Sequence, residues 1–412
     1  MIDSPRAWSV AVAAAINNGV AFGIVYTFGT FFEAMAEEFG AGRGPTSIVF
    51  AVTLFLFFGT GAASGFLADR YGPRPLVLVG GTMFVAGLVL TSQVEVLWHG
   101  YLTYGLGAGL GGGLFVSPMY AAVAGWFDRY RALGQGVAAT GNGLGTLIML
   151  PLANWLIGND GWRSAYVTLA VIAAVIFAVC SVFARRPPID APPSASRHLR
   201  AVMRTSSFRV MVVGGLLGSA AQASAFAFTV VFATDEGVSS ADAALLVGLI
   251  GAASIMGRLA LTGLSDRTGP VRMLQYCLVG QPIAFAVLLI AGGDYRLLLL
   301  YALIYGVAYG GFVALIGQVA AHLFGVRGLA SVLGFLFLGA GVGSLVWPPV
   351  VGFIADASGA NTLPKLAIVA VAAAGAVWLF RLSPDPVPPE ELATEGPPTT
   401  AVTGADGVGS VS

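Results

Sequence analysis

Long apolar runs separated by short polar breaks fill this chain from residue 7 to residue 381. An α-helix rises 1.5 Å per residue, so about 20 apolar residues cross the hydrocarbon of a bilayer. On that ruler the pattern predicts twelve spans, at 7–32, 46–68, 75–93, 97–125, 132–157, 162–184, 208–234, 241–265, 272–292, 296–321, 328–354 and 362–381. The one long polar break, "RRPPIDAPPSASRHLRAVMRTSS", lies between spans six and seven and divides the chain six plus six. The expected fold is an all-α integral membrane protein with twelve transmembrane helices in two six-helix, pseudo-symmetric bundles. Residues 1–184 would form the first bundle, 185–207 a linker, 208–381 the second bundle and 382–412 a tail. The tail is rich in Pro, Gly, Thr and acid and is expected to be disordered.

The two halves repeat. "GFLADRYGPRPLVLVG" after span two is echoed by "TGLSDRTGPVRMLQYCLVG" after span eight, with Asp69 matching Asp266 at an offset of 266 − 69 = 197. "GNGLGTLIMLP" in span five is echoed by "GAGVGSLVWPP" in span eleven, with Gly141 matching Gly339 at 339 − 141 = 198. Repeated six-span halves mark transporters whose site lies near mid-membrane, between the halves.

Composition sharpens this reading. The chain is 57% hydrophobic and 10% charged, whereas a soluble domain is about a quarter charged. Net charge is zero, so no nucleic acid or other polyanion is expected as a partner. Cys180 and Cys277 both lie in apolar runs and suggest neither a disulfide nor a metal site. No cofactor is implied. The start, "MIDSPRAW", runs straight into span one, so no cleavable signal peptide is expected. With that start and such short loops, the expected location is a bacterial inner membrane, with the protein acting as a monomer in the lipid bilayer.

Charge sets the orientation. With both termini in the cytoplasm, fifteen of the twenty basic residues are cytoplasmic, including Arg6, Arg70, Arg74, Arg185, Arg186, Arg267, Arg272 and Arg381. Arg43, Arg163, Arg296 and Lys365 fall outside, and the positive-inside rule selects this topology. The linker and tail are then cytoplasmic.

One basic residue remains. Arg258, in "LIGAASIMGRLALTGLSDR", falls at membrane depth, where a guanidinium costs several kcal/mol and is functional by default. No Asp or Glu falls at that depth in any span: Asp69, Asp128 and Asp266 are at cytoplasmic ends, and Asp160, Asp235, Glu236, Asp294 and Asp356 at external ones. The repeat does not supply it either, since Gly61 stands at 258 − 197. A buried cation without an acid needs an anion, and the simplest source is a substrate. A guanidinium fork suits a carboxylate. One positive charge balances one negative charge, so a monocarboxylate is favoured over a dianion. The bland alternative is that Arg258 caps carbonyls or pairs with an acid to hold the bundle shut.

Gly251, Ser254 and Thr262 share a helical stripe with Arg258 and are expected to face the same cavity. Tyr120, Asn142, Asn17, Asn18, Gln222, Tyr305 and Tyr309 fall at comparable depth. For each of them a plain interhelical hydrogen bond is the competing reading. His99, His198 and His322 lie near span ends or in the linker and suit no mid-membrane proton relay. The glycines of "GLGAGLGGG" at 105–113 suit close helix packing, not a phosphate loop.

"GFLADRYGPR" and "GLSDRTGPVR" resemble the loop signature of the major facilitator superfamily. "AWSVAVAAAINNGVAFGIVYTFGTFFEAMAEEFGAGRGPTS" and "WFDRYRALGQGVAATGNGLG" resemble the two signatures of monocarboxylate transporters. "GGFVALIGQVAAHLFGVRGLASVLGFLFLGAGVGSLVWPPVVGFIAD" is similar to the bacterial oxalate/formate exchangers. The resemblance implies that Arg258 binds substrate carboxylate and that Tyr120 and Tyr309 surround the substrate. It also shows departures: Ser254 stands where animal members have an aspartate, Tyr26 where they often have a lysine, and Ala340 where the oxalate exchangers have a lysine. These departures count against the animal route of proton coupling and against dicarboxylates.

The expected function is thus secondary active transport of a small, lactate- or pyruvate-like monocarboxylate by alternating access, and not catalysis. Coupling is left open between proton symport, exchange and uniport, the resemblance favouring a proton. The alternative is a carrier of the same fold that exchanges oxalate- or formate-like anions or exports another small organic solute. The substrate set is Arg258, Tyr120, Asn142, Tyr309, Asn18 and Gln222. Asp69, Arg70, Arg74, Asp266, Arg267 and Arg272, at cytoplasmic helix ends, are expected to stabilise the outward-open state, and Tyr26 to serve as an external gate.

Overall fold

A computed structural model describes residues 3–127, 129–186, 195–325 and 329–388; the side chains of Asp69 and Asp266 lie outside the description, as does Asp128. All regular structure among these residues is helical. The helices are α1 Pro5–Tyr26, α2 Phe28–Glu38, α3 Arg43–Tyr71, α4 Pro73–Thr91, α5 Leu97–Tyr104, α6 Gly111–Trp126, α7 Arg131–Phe183, α8 Ala195–Arg204, α9 Ser206–Asp235, α10 Ser240–Thr268, α11 Pro270–Ala291, α12 Tyr295–Phe324, α13 Leu329–Ser358 and α14 Thr362–Leu379.

Eleven stretches among the described residues are long and apolar enough to cross a membrane, and one of them, Leu133–Phe183, is 51 residues long. A helix of that length would be about 75 Å, more than twice the hydrocarbon thickness. Within α7 the chain reverses at Gly161, where φ is 78° and ψ 162°. Trp162, just past the reversal, donates to Glu38, while Trp126 Nε1 reaches Arg185 O beyond the other end. The stretch is therefore spans five and six, and the twelve-span reading stands. Both described chain ends lie on one face, here the terminal face: Asp3 N donates to Trp126 O, and Val387 N to Leu323 O.

The repeat is visible in the backbone. Gly72 closes α3 with φ 82°, and Gly269 closes α10 with φ 84°. Each is followed by a proline that opens the next helix. The offset, 269 − 72, is again 197. Glycine takes positive φ without steric cost, and proline at a helix start gives up an N–H that has no partner there. The "GP" pair thus builds the same sharp turn twice.

Packing within a bundle depends on small residues. Gly141 and Gly145 of α7 lie so close to α1 that an added Cβ would come 1.9 Å from Ala15 O and 1.8 Å from Gly19 O. The Gly-rich stretch of span four includes a π-helical turn, Gly105–Leu110, and presses Gly107 on Gly87 and Gly111 on Gly80 of α4. It is packing surface, as its composition suggests.

The linker carries structure of its own, and the start of the expected disordered tail is ordered. The linker 185–207 is not all irregular, because α8 lies inside it and Val202 is buried against the second bundle. Residues 382–388 pack back on that bundle through Leu382 and Val387, with Pro384 O at His322 Nε2, 2.9 Å away. Buried apolar side chains hold both segments. Residues 389–412, where a disordered tail is expected, lie outside the described residues.

Candidate functional site

The bundles meet along α3–α13, α7–α10 and α2–α9. Arg258 sits on α10 in that interface and is only 5% exposed. Its Nη1 donates to the carbonyl of Ala139 on α7, in the other bundle. Nε and Nη2 are buried with no partner. These two atoms form one edge of the guanidinium, the edge that presents two parallel N–H groups to a carboxylate. The ion pairs formed between described residues, Arg43–Asp235, Arg163–Glu38 and Lys365–Glu236, all stand at the face opposite the termini. No described carboxylate pairs with Arg258.

Four predicted polar residues cluster with it. The Tyr120 hydroxyl donates to Asn142 Oδ1 at 3.2 Å. The Asn18 side chain reaches the same hydroxyl. Arg258 is within electrostatic reach of Tyr120 and of Tyr26. Tyr26 Oη lies 3.5 Å from Tyr309 Oη. Arg258, Tyr120, Asn142, Asn18 and Tyr309 thus come from α10, α6, α7, α1 and α12 to one region.

Two expectations are corrected. Gln222 is turned into the second bundle: its Nε2 donates to Gln281 Oε1 at 3.3 Å, and its carbonyl accepts from Tyr305 at 3.4 Å. The amide is used inside the bundle because α9, α11 and α12 bring a second amide and a tyrosine to it. Ser254 offers no free donor to the cavity stripe. Its Oγ donates back to Gly251 O at 2.7 Å, and its own carbonyl is what a Cβ on Gly310 of α12 would meet. Gly251 and Ile255 face Gly143 of α7 instead, and Thr262 Oγ1 is buried without a partner.

On the side of the opposite face the region is roofed by aromatics. Tyr26 ends α1, where the chain breaks at Thr27 before α2. Its ring stacks on Phe226 of α9, with centroids 4.2 Å apart and planes 19° apart, and Phe226 meets Tyr309 edge-on at 5.3 Å. Beyond that roof lies a polar latch unforeseen as a unit. Arg43 opens α3 and bonds Asp235 at 2.5 Å and Asn361 at 2.9 Å. Asp356 of α13 accepts the backbone N–H groups of Arg43 at 2.7 Å and Gly44 at 2.8 Å. The sequence signal was opposite charges in loops of one side, without anything to pair them. Thr234 also donates to Glu33 at 2.9 Å across the bundles. Lys365, also on this side, is buried, bonded to Glu236 and set 5.5 Å over the Phe232 ring.

At the terminal face no hydrogen bond or ion pair joins the two bundles among the described residues. Gly65, Gly136, Gly263 and Gly317 have open space beside them. Arg70, Arg74, Arg267 and Arg272 are exposed there. A separate apolar groove of about 440 Å³ between α10, α11 and α12, lined by Leu261, Tyr276, Cys277 and Leu303, is on the outer surface and not at Arg258.

The model of the Major Facilitator Superfamily matches residues 14–292 and 263–406. Monocarboxylate transporter 3 of Rattus norvegicus is 30% identical over 376 residues, covering 86% of this chain and 75% of that one. Monocarboxylate transporter 13 of Bos taurus is 27% identical over 421 residues, covering 99% and 98%. Among solved structures, a bacterial homologue of the human lysosomal transporter Spinster, in an inward-facing, unoccupied conformation, superposes with a TM-score of 0.75 over 92% of this chain and 97% of that one, at 14% identity. A twelve-span helical fold in two repeated halves, a charged residue buried between them, and these matches agree: the chain is a multi-pass membrane transporter, not an enzyme, and belongs to the monocarboxylate transporter branch of the Major Facilitator Superfamily.

Proposed function

We propose that this transporter carries a small, lactate- or pyruvate-like monocarboxylate by alternating access, with the carboxylate held by Arg258. The observation that carries the reading is the state of that guanidinium. Nη1 is tied to Ala139 O while the Nε–Nη2 edge is buried and unpartnered. A buried unpaired charge is costly, and a carboxylate on that edge would make two charge-assisted hydrogen bonds and neutralise it. A second carboxylate would find no second cation among the described residues of the region. Tyr120, Asn142 and Tyr309 complete the walls, and the names of the relatives agree with the substrate class.

With the termini in the cytoplasm, the open terminal side faces inward and the Tyr26–Phe226–Tyr309 roof and the Arg43 latch close the outside. Tyr26 then serves as the external gate. The motif residues Asp69, Arg70, Arg74, Asp266, Arg267 and Arg272 serve to stabilise the outward-open state, in which the inner side is closed.

Uptake by purified protein in proteoliposomes tests this. Labelled lactate or pyruvate should accumulate, and Arg258→Gln should abolish it. Unchanged uptake in that variant would sink the assignment. Imposing a pH gradient and a membrane potential separately distinguishes proton symport from exchange and uniport; we expect accumulation to follow the pH gradient.

A further inference from the structure

The groove between α10, α11 and α12 takes no part in the Arg258 site, and it is open sideways. At its back α10 and α12 are locked together: a Cβ on Gly257 would come 2.1 Å from Val307 O. α11 adds no bulk there, since Gly280 stands against Ala308, where an added Cβ would meet the Ala308 Cβ at 3.0 Å. These small residues make the floor, and Leu261, Tyr276 and Leu303 make the walls. Tyr276 is 57% exposed and Leu303 50%, so the groove opens on the surface that the bundle presents to hydrocarbon. Its volume of about 440 Å³ equals about fifteen water-sized units of roughly 30 Å³. Water does not suit it, because an enclosed water needs about 2–4 polar partners and these walls are almost wholly apolar. An acyl chain does suit it. The chain is apolar, narrow and flexible, and it restores the contacts that an empty hollow forfeits.

The polar end of the groove lies toward the terminal face. Met273, one turn inside α11, and Leu261, two turns before the end of α10, line that end. Arg272, Tyr276 and Gly280 stand at i, i+4 and i+8 and so share one face of α11, with Arg272 at the mouth. Arg272 is exposed and forms no hydrogen bond or ion pair with a described residue. Tyr276 sets a phenol one turn inside it, and tyrosine is a residue that settles at headgroup level in a bilayer. A cation, a phenol and an apolar trough, in that order from the face inward, match a phosphate, a glycerol ester and an acyl chain. We propose that the groove binds one anionic phospholipid of the leaflet on the side of the termini, with a chain in the trough and the phosphate on Arg272. A headgroup of net negative charge leaves that pairing uncontested, whereas a choline headgroup brings its own cation. The gating role proposed for Arg272 belongs to the outward-open state, and the lipid takes up the arginine in the state described here. The site does not depend on the Arg258 reading.

The test counts lipids on the full chain, purified and delipidated in detergent, by native mass spectrometry, with phosphatidylglycerol or phosphatidylcholine added at equal concentration. Wild type should hold one phosphatidylglycerol with about fivefold higher affinity than phosphatidylcholine, the value of one arginine beside an anionic lipid. Added salt should erode the difference. Leu303→Trp sets a bulky ring across the trough at an exposed position and should weaken phosphatidylglycerol binding by about tenfold, through the loss of buried methylenes. Arg272→Gln should keep the lipid but shrink the headgroup preference to within about twofold. Glycerol 3-phosphate, a phosphate headgroup without chains, should not displace the lipid. Displacement would show that the trough contributes nothing and would overturn the proposal. Equal affinity of wild type for the two lipids, or undiminished binding to a folded Leu303→Trp protein, also overturns it. The two-lipid comparison needs no variant, so it decides the proposal even where a variant fails to fold.

Discussion

Arg258 of the second bundle donates through Nη1 to the carbonyl of Ala139 in the first, so the buried cation is tethered across the bundle interface by a neutral acceptor. A carbonyl orients the guanidinium but leaves its charge uncompensated. If Arg258 holds the substrate as proposed, binding and docking of α10 on α7 involve the same side chain. Lysine at this position would keep the charge and lose the fork, because an ammonium is a point charge with no parallel pair of donors. Arg258→Lys should lower kcat/KM for a monocarboxylate by about ten- to a hundredfold, the value of one or two charge-assisted hydrogen bonds. Initial uptake rates over a substrate range check it.

The aromatic roof should respond to loss of a ring more than to loss of a hydroxyl. Tyr26 and Tyr309 are 3.5 Å apart at their oxygens, a weak contact, whereas the Tyr26–Phe226 stack has its centroids at 4.2 Å. Tyr26→Phe should change transport less than about twofold. Phe226→Ala should weaken outer closure by about 3 kcal/mol, the usual scale for emptying a buried phenylalanine position. Alkylation of a cysteine placed at the Arg258 depth, with reagent added at the opposite face, reports the difference.

The latch at Arg43 is partly exposed, so each ion pair is worth little by itself, about 0.2–1 kcal/mol. Asp356 adds a different effect: its carboxylate sits on the first N–H groups of α3, where the helix dipole favours an anion, although it belongs to the other bundle. Combining Asp235→Asn with Asp356→Asn should shift the population toward the outward-open state, while either change alone shifts it by less. Spin-label distances across the opposite face measure the shift.

Gln222→Leu should separate structure from binding. The substitution leaves Gln281, whose Nε2 already lacks a partner, without its remaining side-chain contact. The expected cost is about 1–3 kcal/mol of stability, with KM for the monocarboxylate unchanged. A raised KM with unaltered thermal stability would return Gln222 to the binding set.

Gly145→Ala and Gly136→Ala should differ sharply. The first puts a Cβ 1.8 Å from Gly19 O between two helix backbones, while the second meets open space. Overpacking of this kind costs about 1–3 kcal/mol or more, since neither backbone can yield without moving its helix. Thermal unfolding in detergent should show a lowered Tm for Gly145→Ala only.

Much of the architecture was legible because membrane helices obey a one-dimensional rule. Hydrocarbon demands about 20 apolar residues per crossing, so span number and the six-plus-six division follow from the apolar runs, and the repeat offset of 197 reappears in the φ angles of Gly72 and Gly269. Arg258 stood out for the same reason: a charge in an apolar run is conspicuous without a structure. Its neighbours were less legible. Polar residues at equal depth look alike in sequence, yet Asn142 bonds Tyr120 while Gln222 turns to Gln281. Depth is readable along one helix; the direction a side chain takes depends on which helices flank it.

By itself, the sequence determined that the chain spans a membrane in two repeated halves and buries one cation at a depth with no acid. Only the tertiary structure decided what surrounds that cation. It tied one nitrogen to Ala139, left the Nε–Nη2 edge without a partner, turned Gln222 elsewhere, spent the Ser254 hydroxyl on its own helix, and closed one face with Arg43. The physical reason is range. Burial in lipid is set residue by residue along the chain, whereas satisfaction of a hydrogen bond is set over about 3 Å by groups far apart in sequence.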